Sequence, residues 1–249
     1  MSKKGISIGV QAACMFDCEA RVPLMVYAKL NGINVKDPVD LAVVRPGRLI
    51  HAAFENVAMR MSDEGRITDA AAVKNELAAS IAVAVPEMDA DSARLHATML
   101  ASAIQETAIT EPLAKFVHER RVSVPLSTRV KLAGRIDTIT GDANGWIIIE
   151  RKSGEEHAWH AKQVQLYAEM LVAKEPDARI ARLELWYSRF GKKVVPCTSG
   201  ELIRELKAAT ARGEGFTGHG AGQVIDSWCA SCARLDCGVK RLASMLSIE

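Results

Sequence analysis

The chain has 249 residues, of which 49% are hydrophobic and 25% charged, with a formal net charge of +2. That length buries one good core, and the composition is that of an ordinary globular protein and not of a disordered or membrane one. So small a net charge neither requires nor excludes nucleic acid, because phosphate binding depends on a local basic groove and not on the chain total.

The first ten residues place Lys3 and Lys4 before a few apolar residues, but Gln11, Asp17 and Glu19 interrupt any signal-like core. No later stretch approaches the ~20 apolar residues needed to cross a bilayer. A cytoplasmic location without membrane contact is therefore expected. In that reducing compartment the six cysteines suit metal binding or buried thiols better than disulfides.

In chain order, residues 11–30 read as a helix carrying Cys14 and Cys18, stopped by Asn31-Gly32. A loop with Pro38, Pro46 and Gly47 follows. From Leu49 to about His118 the spacing of Ala, Met and Leu is helical, with breaks near Glu64-Gly65, Pro86 and Pro112. The pattern then turns to alternating β-branched residues in 121–124, 129–139 and 146–152. The last two runs are joined by Gly141-Asp-Ala-Asn-Gly145, a strong turn signal. A helix is expected over 159–173, strands around Ile180–Ser188 and Lys193–Val195, and a helix over Ser199–Arg212. A glycine-rich loop over 213–222 leads to the cysteine-bearing end. There is no internal repeat. The expected organisation is one unit over residues 1–249: a helical N-terminal region over 11–118, an α/β core over 119–213, and a tail over 214–249 that packs on the N-terminal helix.

A hairpin centred on Ala143-Asn144 would set Asp137 opposite Glu150. Directly opposed side chains have Cβ atoms roughly 4.5–5.5 Å apart, within reach of one divalent ion. Strand alternation puts Lys152 on the same face as Glu150 and turns Arg151 away. Opposed like charges are costly in a sheet, so the pair suggests a hard cation such as Mg²⁺ or Mn²⁺. Asp, Glu and Lys together suit phosphodiester hydrolysis, in which a cation acidifies water and the lysine steadies charge on the phosphate.

Gly134-Arg-Ile-Asp137, Ile147-Ile-Ile-Glu150-Arg-Lys152 and Gln163-Val-Gln-Leu-Tyr167, with Gly47-Arg-Leu-Ile-His51 upstream of them, stand in an order that resembles the PD-(D/E)xK nuclease superfamily. Within it the sequence resembles the RecB-like branch that includes the CRISPR-associated exonuclease family Cas-four. The resemblance implies a restriction-endonuclease-like fold, a mixed sheet flanked by helices. It also implies that Asp137 and Glu150 ligate metal, that His51 adds a ligand, that Lys152 is catalytic, and that Gln163 and Tyr167 contact DNA and support the site. The implied partner is DNA, single-stranded or with free ends, together with proteins of CRISPR adaptation or recombination. An end-binding adaptor that uses the same fold without cleaving is the alternative.

Cys229, Cys232 and Cys237 form a C-x₂-C-x₄-C group that lacks a fourth ligand, and Cys14 and Cys18 are the candidates for it. Three clustered cysteines and one distant one resemble the 4Fe-4S arrangement of the Cas-four family, in which the distant cysteine precedes a basic helix. Cys18-Glu-Ala-Arg21 matches that context better than Cys14, although the family's usual proline after the cysteine is Glu19 here. Four thiolates also suit zinc, and both metals remain open. Cys197 reads as a small buried hydrophobe. Arg45, Arg48, Arg120, Arg121, Arg189, Lys192 and Lys193 are candidate phosphate contacts.

Overall fold

The computed structural model describes residues 5–14, 21–33, 41–110, 117–142 and 145–216. They fall into two compact units, one of Met1–Val39, Val122–Gly134 and Thr198–Glu249, the other of Asp40–Arg121 and Arg135–Cys197. Strands β2 (Val117–Pro125) and β3 (Val130–Asp142) contribute residues to both.

In the first unit, β1 (Ile6–Gly9) runs parallel to the start of β3, from Ile6 opposite Val130 to Gly9 opposite Ala133. A short helix α1 (Val10–Cys14) follows, and α2 (Arg21–Leu30) packs against α7 (Glu201–Glu214). Of the helix expected over 11–30, residues 11–14 and 21–30 are helical and 15–20 lie outside the described residues; β1, just before it, has no counterpart among the expected elements. Four residues with one small apolar pair carry too little periodicity to be read as a strand; pairing with β3 supplies what the local pattern lacks. The stop at Asn31-Gly32 is as expected: Asn31 N–H reaches back to Tyr27 O at 3.1 Å, and Gly32 takes a φ of 73° open to glycine.

The second unit holds a mixed sheet flanked by helices. Strand β4 (Gly145–Lys152) pairs antiparallel with β3 and parallel with β5 (Ile180–Tyr187), and β5 pairs antiparallel with β6 (Gly191–Val195). Helices α3 (Leu41–Asp63), α4 (Ala70–Ala84) and α5 (Ala90–Thr110) precede β2, and α6 (Ala158–Lys174) connects β4 to β5. Such a crossover is what a parallel pair requires. Asp69 caps α4 by accepting from Ala72 N–H at 3.0 Å. On one face of the sheet Ile147, Ile149 and Trp186 are buried with Phe54 and Met61 of α3, Leu77 of α4 and Ile104 of α5. The alternate residues of β4, Ile148, Glu150 and Lys152, take the other face, where α6 brings Gln163 to the last two.

The loop expected around Pro46 and Gly47 is instead part of α3. Pro46 stands in the second turn, where its missing N–H forfeits one bond to the carbonyl of Ala42 and leaves the rest of the helix intact. Gly47 has a packing reason, since a Cβ there would overlap Ser153 Oγ, just beyond Lys152. His51 accordingly lies mid-helix and does not open one. No helix among the described residues is long and apolar enough to cross a membrane.

Gly213, expected to begin a loop, lies inside α7, and α2 passes so close that a Cβ would overlap Pro23 O. Gly213→Ala should therefore cost about 1–3 kcal/mol by overpacking, read from urea unfolding. Gly215→Ala, with only ordinary neighbours at 3.5 and 3.6 Å, should change stability by less than ~0.5 kcal/mol.

Candidate active site

Strands β3 and β4 pair in the register that the turn residues imply: Thr138 opposite Ile149, Ile139 opposite Ile148, Thr140 opposite Ile147. Asp137 and Glu150 stand one residue beyond the first of these pairs, on neighbouring strands. Asp137 Oδ2 accepts from the backbone N–H of Arg151 at 2.9 Å, which fixes its carboxylate against β4. His51, presented by α3, places Nδ1 3.7 Å from the same oxygen.

Glu150 is 4% exposed, and its two oxygens differ. Oε1 accepts from Lys152 Nζ at 2.6 Å and from Gln163 Nε2 at 2.8 Å. Oε2 is buried without a hydrogen-bond partner. Gln163 closes a ring, because its Oε1 also accepts from Lys152 Nζ at 2.9 Å and its Nε2 lies 3.4 Å from the Tyr167 hydroxyl. Gln163 and Tyr167 are themselves buried. They meet Glu150 and Lys152 because residues four apart share a helix face.

The protonation states follow from the surroundings. Burial, joined by the charge of Asp137, pushes the Glu150 carboxyl up to about 7, although Lys152 pulls the other way. Burial would also raise Asp137, but His51, Arg151, Lys152 and the Arg151 N–H outweigh it and hold Asp137 below its ordinary value. Burial lowers the His51 imidazole to about 4, against the pull of Asp137. Near neutral pH the site thus offers an ionised Asp137, an unprotonated His51 and a Glu150 that is easily ionised by a nearby cation. Burial and the Glu150 charge raise Tyr167, which keeps its phenol neutral.

Among the described residues no three His, Cys, Asp or Glu side chains converge into a ready-made cation cage. The donor set nonetheless fits a hard divalent cation, which commonly takes one or two carboxylates and fills its other positions with water and phosphate. The bare Oε2 of Glu150 is the observation that carries the fit. A buried carboxylate oxygen without a donor costs free energy, and a cation would satisfy it.

A second layer of charge, with little signal in the sequence, lies behind the first. Arg151, 1% exposed, turns away from Lys152 as alternation requires and donates to Glu55 Oε1, one turn after His51 on α3. Its guanidinium lies 4.5 Å from the Phe54 ring centre. Glu119, in a left-handed backbone conformation with φ 57°, joins this layer and pairs with Arg135. Burial, with a hydrogen bond to Glu55 and the charge of Glu55, pushes Glu119 up to about 7. The spacing His51-x-x-x-Glu55 was the one available signal, whereas Glu119 carried none.

A family model for the PD-(D/E)XK nuclease superfamily matches residues 24–236. The chain belongs to this superfamily. The match spans the segments that supply His51, Asp137, Glu150, Lys152, Gln163 and Tyr167. Members of the PD-(D/E)XK nuclease superfamily typically cleave DNA with Mg²⁺ or Mn²⁺. No curated protein matches the chain. Among solved structures it is similar to SSO0001, at 15% identity over 94% of this chain and 89% of that one, with a TM-score of 0.44.

The remaining expected site residues lie elsewhere. Cys18, Cys229, Cys232 and Cys237 fall outside the described residues. Cys14 is buried at the end of α1. Cys197 is exposed just beyond β6, so its expected burial is corrected: β6 stops at Val195, two residues earlier. Of the candidate phosphate contacts, Arg48, Arg121 and Arg189 are exposed. Arg120 pairs with Glu175 and Lys193 with Glu156, and Lys192 stands 3.6 Å from Glu106.

The His51 imidazole sets a pH dependence of known sign. Its folded pKa near 4 lies below the unfolded value of 6.5. On acidification from 6.5 the unfolded chain therefore takes up a proton that the folded chain refuses. Without divalent cations, the stability of wild type relative to His51→Gln should be constant above pH 6.5. It should fall by about 1–3 kcal/mol between pH 6.5 and 4, and level off below. Urea unfolding of both proteins across that range checks it.

Proposed function

We propose that this chain is a metal-dependent deoxyribonuclease that acts on single-stranded or frayed DNA ends as an exonuclease, in CRISPR adaptation or recombination. The observation that carries the hydrolytic reading is the Glu150 carboxylate, one oxygen held by Lys152 and Gln163 and the other without a partner, on the strand next to Asp137, which His51 approaches. The preference for ends and the cellular setting rest on the resemblance of the sequence motifs to the Cas-four family.

In this reading Asp137 and Glu150 hold Mg²⁺ or Mn²⁺ and His51 adds a nitrogen ligand. When bound, the cation supplies Lewis acidity that acidifies water and offsets charge on the scissile phosphate. Lys152 orients the attacking water and donates to the phosphate oxygen on which charge develops. Gln163 acts through others: it holds the Lys152 ammonium and the Glu150 carboxylate at fixed separation, so that neither must reorganise when DNA arrives. Tyr167, a neutral phenol behind Gln163, fixes the amide in turn. Asp137 keeps its charge because Arg151 N–H and the nearby cations stabilise it, and His51 is ready to ligate because it carries no proton.

The spacing of Cys229, Cys232 and Cys237, with Cys18 from the N-terminal region, supports a further metal centre, 4Fe-4S in this reading. It would tie the tail over 214–249 to the N-terminal helix and make the chain one nuclease unit. Iron and zinc analysis of the purified protein distinguishes the two metals.

The test is cleavage of end-labelled single- and double-stranded DNA with Mn²⁺ by wild type and by Lys152→Ala. Wild type should shorten single strands from an end, and Lys152→Ala should cut at least 100-fold more slowly, roughly the scale on which charge-stabilising groups act. Lys152 is only 14% exposed and bonded twice, so the variant's fold is checked by circular dichroism. Equal, negligible product from both, under conditions where both bind the DNA, would leave an end-binding adaptor and no nuclease.

A further inference from the structure

The segment that follows Lys152 carries a run of rings that the hydrolytic chemistry does not use. His157, immediately before α6, is exposed, and its ring lies 12° from parallel to that of Trp159, with centroids 6.0 Å apart. Trp159 meets His160 edge-on at 4.2 Å. His160 reaches Tyr187 at the end of β5, with Nδ1 3.0 Å from the tyrosine hydroxyl. Tyr187 in turn meets Phe190 at 6.3 Å in the turn before β6. The inner members, His160 and Tyr187, are buried and anchor the start of α6 to β5. His157 also caps α6 through His160, whereas Phe190, at the outer end of the run, is left 51% exposed.

The outer rings are also paired with cations. Lys152 Nζ lies 5.4 Å from the Trp159 ring centre, and the Arg189 guanidinium 5.7 Å from that of Phe190. A ring beside a cation is the complement of a nucleotide, which carries a flat base and an anionic phosphate on one short frame. Lys152 belongs to both sets. Its ammonium bonds Glu150 while facing Trp159, so one cation separates the Trp159 ring from the carboxylates.

We propose that His157, Trp159 and Phe190 form a stacking platform for unpaired bases of the DNA strand that borders the scissile phosphate. The platform rests on the nuclease reading for the position of that phosphate and names the feature of the substrate it selects. Both faces of a base are covered in a duplex and free in a single strand, so stacking on protein rings favours single strands without regard to sequence. Each stacked base tightens binding by about fivefold to a hundredfold, enough to decide between the two forms of DNA. Trp159 and Phe190 here are positioning residues for the substrate.

The test separates stacking from phosphate attraction and from cleavage. A fluorescently labelled thymidine oligonucleotide, and a strand of equal length made of abasic deoxyribose phosphates, are titrated with the full chain without divalent cations, so that anisotropy reads Kd and nothing is cut. Wild type should bind the base-bearing strand about tenfold tighter than the abasic one, the ratio that ~1.4 kcal/mol of stacking gives. Trp159→Ala and Phe190→Ala should each bring that ratio toward one while leaving abasic affinity within about twofold, and Trp159→Phe should keep most of it. A ratio unchanged in both alanine variants overturns the platform. So does a parallel loss of affinity for both strands in both variants, which is the mark of a purely structural role. Failure of the nuclease reading looks different: wild type that retains the base-dependent ratio but cuts no DNA with Mn²⁺ leaves the platform standing in a binding protein.

Discussion

The arrangement around Glu150 depends on an imbalance within one carboxylate. A buried carboxyl group stays charged only if its oxygens are stabilised, and here one oxygen has two donors while the other has none. Two donors on both oxygens would make the group a settled structural anion with no use for a cation. With none on either, burial would leave it protonated and a poor ligand. The half-satisfied state, with a pKa of about 7, lets a divalent cation complete the site at small cost in deprotonation.

That imbalance is produced by strand geometry and helix geometry acting together. Alternation along β4 sends Glu150 and Lys152 to one face and Arg151 to the other. The four-residue spacing on α6 brings Gln163 under the first two, with Tyr167 behind it. The spacing on α3 brings His51 to Asp137 and Glu55 to Arg151. Arg151 is therefore shared: its backbone N–H steadies Asp137 and its guanidinium neutralises the Glu55 layer. Breaking a buried pair of that kind leaves an unpaired charge and costs more than an exposed pair could return.

Much of this is legible in the sequence because it lies in short-range spacings. The turn Gly141–Gly145 fixes the register, and the register fixes which side chains share a face. The Gln163-x-x-x-Tyr167 spacing puts both residues on one side of α6. What is not legible comes from contacts distant in sequence. Strand β1 exists through its pairing with β3. Helix α3 runs through Pro46 and Gly47 because the proline falls early and the glycine lets Ser153 approach. Glu119 meets Glu55 from the far side of helices α4 and α5 in the chain, and no local pattern announces it. Trp159 and Phe190 are ordinary aromatic residues until the fold sets each beside a cation. The cysteines of the expected metal centre lie outside the described residues.

The central claim is that Asp137 and Glu150 share one divalent cation through the oxygen that the protein leaves bare. Calorimetric titration of Mn²⁺ into wild type, Asp137→Asn and Glu150→Gln at about pH 7.5, just above the raised Glu150 pKa, tests it most directly, with heats compared in two buffers of different ionisation enthalpy to count the protons released. The account predicts one site in wild type, binding that takes a fraction of a proton from Glu150, and at least roughly tenfold weaker binding without proton release in Glu150→Gln. Asp137→Asn should weaken binding to a similar degree. Unchanged affinity and unchanged proton release in Glu150→Gln would contradict it.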